Sequence, residues 1–206
     1  MSLFGRSGKG APFDWLVVGL GNPGEKYDNT RHNVGVDAVR LLAERRDVTL
    51  KGGRDNALIA ETRFPGADGD DRVALAFPIT FMNESGRAVG AMVRRYRIDS
   101  PERIIVVQDE LDLPPGELKL KAGGGLAGHN GLRSITSHLK TQDYLRVRIG
   151  VGKPDNLHVG KVHVLAKIPK RQRVDLDVAI ADAADAVEMI IADGIDAAMQ
   201  RYNSKR

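Results

Sequence analysis

The sequence predicts a single α/β domain, with a mixed, largely parallel central sheet flanked by helices on both faces. Three observations carry that expectation. Short apolar runs rich in β-branched residues alternate with segments of helical spacing, the pattern left by strand–helix units. No repeat and no internal linker interrupts residues 14–206. A chain of 206 residues is long enough for one domain with its own core, without covalent staples.

The elements follow in order along the chain. WLVVGLG (15–21) is a short apolar run and reads as a buried strand. A polar Gly/Pro/Asn stretch reaches Arg31, after which Val34, Val36, Val39, Leu41 and Leu42 give a helical spacing. ALIAETRF (57–64) and RVALAF (72–77) read as strands joined by a Gly/Asp loop, and residues 84–96 as a helix. RIIVVQ (103–108) is another buried strand, and GELKLKAG (116–123) alternates with period two, as a half-exposed strand does. HNGLRSITSHL (129–139) reads as helix and LRVRIGVG (145–152) as strand. An amphipathic helix spans 172–193, with Leu176, Ile180, Val187 and Ile191 on its core face. Residues 1–13, Gly/Ser/basic and without periodicity, read as a loose arm. A secretory signal would need a longer apolar core than Asp14 permits, so the expected compartment is the cytoplasm.

Composition excludes several classes of function. The absence of cysteine rules out disulfide scaffolds, thiolate nucleophiles and cysteine-based zinc or iron–sulfur sites. No apolar run approaches the roughly 18 residues of a spanning helix, so no membrane association is expected. Gly19-Leu20-Gly21-Asn22-Pro23-Gly24 matches the dinucleotide fingerprint G-x-G-x-x-G after a strand. That motif requires the turn to open directly into a helix whose N-terminus meets the pyrophosphate. Here a polar EKYDNTRHN segment intervenes, so a functional loop at a strand end is the better reading, and a nucleotide-binding oxidoreductase the weaker one.

The chemistry-bearing residues fall at four strand or loop ends: Asn22 with His32, Asn83, Asp109, and Asn130. His32 lies in a polar Arg-His-Asn cluster and is the side chain best matched to proton transfer near neutral pH. Asp109 closes an apolar run, where a carboxylate would stand at a sheet edge, either as a cap or as the partner of an imidazole. The three asparagines carry no proton to transfer but offer one acceptor and two donors each. Turn geometry accounts for Asn22 and Asn130 equally well, and a helix N-cap for Asn83. Converging, they would suit a peptide-like backbone and a developing oxyanion. Other chemistries fare worse. Ser85 lacks the nucleophile elbow, His158 and His163 make a poor zinc pair, and Asp109, Glu110 and Asp112 run into a rigid Leu-Pro-Pro turn rather than a Mg²⁺ loop.

VVGLGNPGEKYDNTRHNVG (17–35), PITFMNESG (78–86), DELDLPPGELKLKAGGG (109–125), GHNGLRSI (128–135) and LRVRIGVGKP (145–154) occur in that order over most of residues 15–170. In these motifs the chain resembles the bacterial peptidyl-tRNA hydrolase family. The resemblance implies a cofactor-free cytosolic esterase, monomeric and without an obligate protein partner. Its substrate would be peptidyl-tRNA, engaged through the tRNA acceptor end and the nascent peptide, and the tRNA would be recycled. By motif, His32 would be the general base and Asp109 its orienting carboxylate. Asn22, Asn83 and Asn130 would bind the peptide backbone, position the water and stabilise the tetrahedral intermediate, with Tyr27 and Met82 lining the crevice. No metal is implied. The chain departs from the family at Leu126, usually polar or His, and at Ala127, commonly Gly. A catalytically silent RNA-binding protein on the same scaffold is the alternative that the resemblance itself raises.

The net charge of +4 is unevenly spread. Residues 119–173 hold twelve Lys/Arg against two acids, a local +10, between segments of −2 (1–118) and −4 (174–206). Lys119 and Lys121 share one strand face, and Arg146 and Arg148 another. The resemblance makes Lys121 and Arg148 the expected contacts to tRNA phosphates.

Overall fold

In the computed structural model, which describes residues 12–154 and 160–204, seven strands form one sheet in the order β2-β3-β4-β1-β5-β7-β6. The strands are β1 Trp15–Gly19, β2 Lys51–Gly52, β3 Ala57–Gly66, β4 Gly69–Pro78, β5 Ile104–Glu110, β6 Leu118–Ala122 and β7 Leu145–Gly150. β4, β1, β5 and β7 run parallel at the centre, and β3 and β6 are antiparallel to their neighbours. The helices are α1 Val34–Arg45, α2 Ser85–Tyr96, α3 Asn130–Leu139, α4 Gly160–Leu165, α5 Lys170–Asp193 and α6 Ile195–Asn203. No described helix is long and apolar enough to cross a membrane.

β1, Val73–Phe77 of β4 and Ile104–Val107 of β5 are apolar and buried because both faces of the central sheet are covered. Trp15 and Val17 of β1 enter a core shared with α1, α5 and α6, while Leu16 and Val18 enter a second core under α2 and α3. β3 and β4 run longer than the 57–64 and 72–77 predicted, meeting at a two-residue turn with Gly66 opposite Gly69. Three short elements carry too little apolar signal to be predicted: β2, whose two residues are exposed, and the helices α4 and α6. The predicted arm lies outside the described residues except at its end. There Phe13 donates its backbone N–H to Tyr96 O at 3.0 Å and packs edge-on against that ring. His158, of the rejected zinc pair, also lies outside them.

Two close helix contacts position the site. A Cβ on Gly35 would stand 2.3 Å from Val107 O, so only glycine lets the start of α1 lie directly on the end of β5. That contact brings the 3₁₀ turn Arg31–Asn33 beside Asp109. Gly86 does the same between α2 and α3: its N–H donates to Ser134 Oγ at 3.0 Å, and a Cβ would meet Ser134 O at 2.1 Å. The beginnings of both helices, and with them Asn83 and Asn130, therefore line the same cavity.

Candidate active site

A cavity of about 510 Å³ opens at the C-terminal ends of β1 and β5. Asn22, Tyr27, His32, Met82, Asn83, Asp109 and Asn130 all line it, drawn from four segments far apart in sequence. The glycine turn after β1 does not open directly into a helix: the chain passes through short 3₁₀ turns and α1 begins only at Val34.

Asp109 is the hub. Its Oδ1 is 2.8 Å from His32 Nδ1 and 3.0 Å from His129 Nε2, and the carboxylate is buried. His129, which residue type alone does not single out beside its neighbour Asn130, shares this hub. Its Nδ1 accepts the backbone N–H groups of Gly131 and Leu132, at 3.1 and 3.4 Å, and so caps α3. An acceptor at Nδ1 places the ring proton on Nε2, which donates to Asp109. His32 donates to the same oxygen from Nδ1, which leaves its Nε2 with the lone pair and no protein partner described. Burial pulls the His32 imidazole down, but the charge of Asp109 and the hydrogen bond to it together more than offset this, so its pKa is raised. Burial likewise pushes Asp109 up, yet the two histidines overcome it and hold the carboxyl well below the usual carboxylate range.

His32, Asp109 and His129 place three ligand atoms within 4.8 Å of one another, close enough to ask whether they hold a metal. The cap argues against it. Freeing Nε2 of His129 for a metal would move its proton to Nδ1, against two backbone N–H donors. Nor do Asp109, Glu110 and Asp112 converge on a cation. Glu110 is paired with Arg148 at 2.9 Å and Asp112 with Lys153 at 2.5 Å.

None of the three asparagine side chains caps a helix. Asn22 Oδ1 accepts Met82 N–H at 2.9 Å across sixty residues of sequence, so the amide nitrogen of Asn22 is its remaining group in the cavity. Its backbone is pinned by Asn33, another residue not singled out from sequence. Asn33 Oδ1 accepts Asn22 N–H at 2.9 Å, and Asn33 Nδ2 donates to Asn22 O at 3.0 Å. Asn83 sits in a 3₁₀ turn whose cap makes no side-chain bond, and Asn130 is the first residue of α3 behind its histidine cap. Both are exposed at the cavity. Met82 is buried as its floor, and Phe81, 55% exposed, stands at its rim.

Of the two positions that depart from the family pattern, one reaches the cavity. Ala127 lines it with φ of 47°, a left-handed conformation that glycine adopts without strain. Leu126 packs against the α2–α3 core.

Part of the basic segment is committed to internal contacts. Arg146, expected on an open strand face, is buried and donates to the carbonyls of Gly124 and Gly125, fixing the loop after β6. Arg148 is held by Glu110 through Nε and Nη2. Lys121 is half-buried and Lys119 exposed, opposite Arg146 and Arg148 in register on β6. Lys121 and Arg148 stand outside the cavity's lining.

The model of one family, described as peptidyl-tRNA hydrolase, matches residues 16–206. A peptidyl-tRNA hydrolase of Frankia casuarinae is 50% identical over 190 residues, covering 92% of this chain and 94% of that protein. One of Cutibacterium acnes is 48% identical, covering 92% and 98%. Among solved structures, peptidyl-tRNA hydrolase from Acinetobacter baumannii superposes with a TM-score of 0.84 at 37% identity, covering 95% of this chain and 98% of that one.

Proposed function

The chain belongs to the peptidyl-tRNA hydrolase family, and from that premise we propose how it cleaves the ester joining peptide to tRNA: by a water molecule activated at His32, without a metal ion or a covalent acyl-enzyme. The observation that carries this reading is the tautomer at Asp109. With Nδ1–H of His32 given to the carboxylate, Nε2 is left as a base in the cavity.

The steps balance with these groups alone. Water gives a proton to His32 Nε2 as its oxygen bonds to the ester carbonyl carbon, and Asp109 stabilises the imidazolium that forms. The Nδ2 groups of Asn22, Asn83 and Asn130 donate to the carbonyl oxygen as it becomes an oxyanion and to the peptide backbone. Collapse of the intermediate breaks the bond to the ribose oxygen, which takes the proton back from His32. Tyr27 and Met82 shape the peptide side of the cavity. Outside it, Lys121 and the Nη1 edge of Arg148 meet phosphates of the acceptor end. The same reading takes the working form as a cytoplasmic monomer, which sedimentation at assay concentration checks.

The test is hydrolysis of an N-acetylated aminoacyl-tRNA by wild type and His32→Ala. A general base of this kind contributes on the order of 10²–10⁴ in rate, so equal rates would remove His32 from the mechanism. Wild type that binds tRNA and releases no acyl group would favour a silent RNA-binding protein. A Lys121→Ala/Arg148→Ala pair is expected to raise KM and flatten its salt dependence, and unchanged binding at low salt would refute the phosphate contacts.

A further inference from the structure

One buried charged side chain beside the base takes no part in that mechanism. Arg31, next to His32, is 6% exposed, and among the described residues no carboxylate pairs with it. Its Nη2 donates to Gln172 Oε1 at 2.8 Å and its Nη1 to His163 O at 3.3 Å, while Nε has no partner. A buried guanidinium with these contacts is costly to keep, and burial lowers its pKa.

The two partners lie on consecutive helices. His163 lies in α4, which packs beside the His32 turn and whose Gly160, Val164 and Leu165 line the cavity. Gln172 is in the first turn of α5. Between them the chain crosses the loop before His32. Ile168 N–H donates to Asn29 O at 2.8 Å, Thr30 and Lys167 form an antiparallel bridge, and Lys167 Nζ donates to the carbonyls of Glu25 and Asp28. Those contacts hold the crossing itself. Arg31 alone reaches by its side chain from the residue before the base to both helices at once.

We propose that Arg31 is a positioning residue: its span from the His32 turn to His163 and Gln172 sets how far the Val164–Leu165 wall stands from the base, and thereby the room given to the peptide part of the substrate. This rests on the hydrolase reading above. A residue that only fixes the wall alters substrate admission and leaves the imidazole–carboxylate pair untouched. Its loss therefore appears in KM and depends on the size of the acyl group.

The experiment compares wild type, Arg31→Lys, Gln172→Ala and Gln172→Glu on two substrates sharing one tRNA, an N-acetylated aminoacyl ester and an oligopeptidyl ester. Losing one charge-assisted hydrogen bond predicts a KM rise of roughly ten- to a hundredfold for the oligopeptidyl ester in Arg31→Lys and Gln172→Ala. The rise should be smaller for the short ester, with kcat within about twofold and the acid limb of the pH profile unmoved. Gln172→Glu gives the guanidinium a carboxylate and should keep KM at or below the wild-type value. Equal KM changes for both esters, or none, in Arg31→Lys and Gln172→Ala would overturn the proposal, as would a fall in kcat with a shifted acid limb. If Arg31→Lys does not fold, Gln172→Ala decides. Because the chain has no cysteine, Val162→Cys, 68% exposed on α4, gives a single nitroxide site. That label should gain mobility in the Arg31→Lys background, and an unchanged spectrum would sink the clasp. If wild type hydrolyses neither ester, the hydrolase reading fails while the label still decides the clasp.

Discussion

Replacing Asp109 by Asn separates the two roles of that carboxylate. An amide oxygen in the place of Oδ1 can still accept from His32 Nδ1–H and His129 Nε2–H, so both tautomers survive and only the charge is lost. At 2.8 Å and an effective dielectric of about 20, that charge is worth about 6 kcal/mol to a full imidazolium. With the proton half transferred in the transition state, about 3 kcal/mol is forfeited, a loss of roughly a hundredfold in kcat. The pH profile moves as well. His32 must be neutral to act, so activity falls as pH drops through its raised pKa. With the charge of Asp109 gone, burial weighs against the imidazolium with only a neutral hydrogen bond opposing it, so the pKa falls and the acid limb shifts to lower pH. Single-turnover hydrolysis between pH 5 and 9 measures both quantities. A rate within threefold of wild type, or an acid limb that stays where it was, would refute the assignment of base and carboxylate.

Asn33→Ala strips the N–H and C=O of Asn22 of their buried partners at about 1–3 kcal/mol each. A fall in melting temperature of roughly 5–15 °C is expected by calorimetry, together with at least a tenfold loss in kcat as Asn22 shifts. His129→Asn keeps a good helix cap but removes the second donor to Asp109. Its melting temperature should stay within a few degrees while kcat drops about tenfold, and loss of stability without loss of rate would reduce His129 to a cap. Ala127→Gly relieves the left-handed strain at φ of 47°. Thermal unfolding should show a gain of up to about 1 kcal/mol, or roughly 2–4 °C for a chain of this size.

What the sequence made legible follows from where the physical signal is concentrated. β1 and the Ile104–Val107 run of β5 are apolar on both faces and announce themselves, as do α2 and α5 through their spacing. β2 has two exposed residues and α4 six residues in all, too few for any periodicity to register. At the site, His32, Asp109 and the asparagines are visible because of their residue types, and every one lines the cavity. Their supports were not. Asn33 matters through two bonds to the backbone of a residue eleven positions away, and Arg31 through partners more than 130 positions away. His129 is hidden for another reason: histidine is not among the residues expected at a helix N-cap. Arg146 shows the converse, since strand alternation puts it on a face but says nothing of the carbonyls that bury it.

The cap at His129 ties two clocks together. One ring closes the first turn of α3 and also completes the hydrogen bonding of Asp109, so the turn cannot fray without releasing the carboxylate. Helix ends open far more readily than whole domains unfold. On warming, the ester-cleaving centre is therefore expected to fail at a temperature where the seven-stranded sheet is still intact, and to recover on cooling. Heat inactivation of this protein should be reversible well short of its melting point.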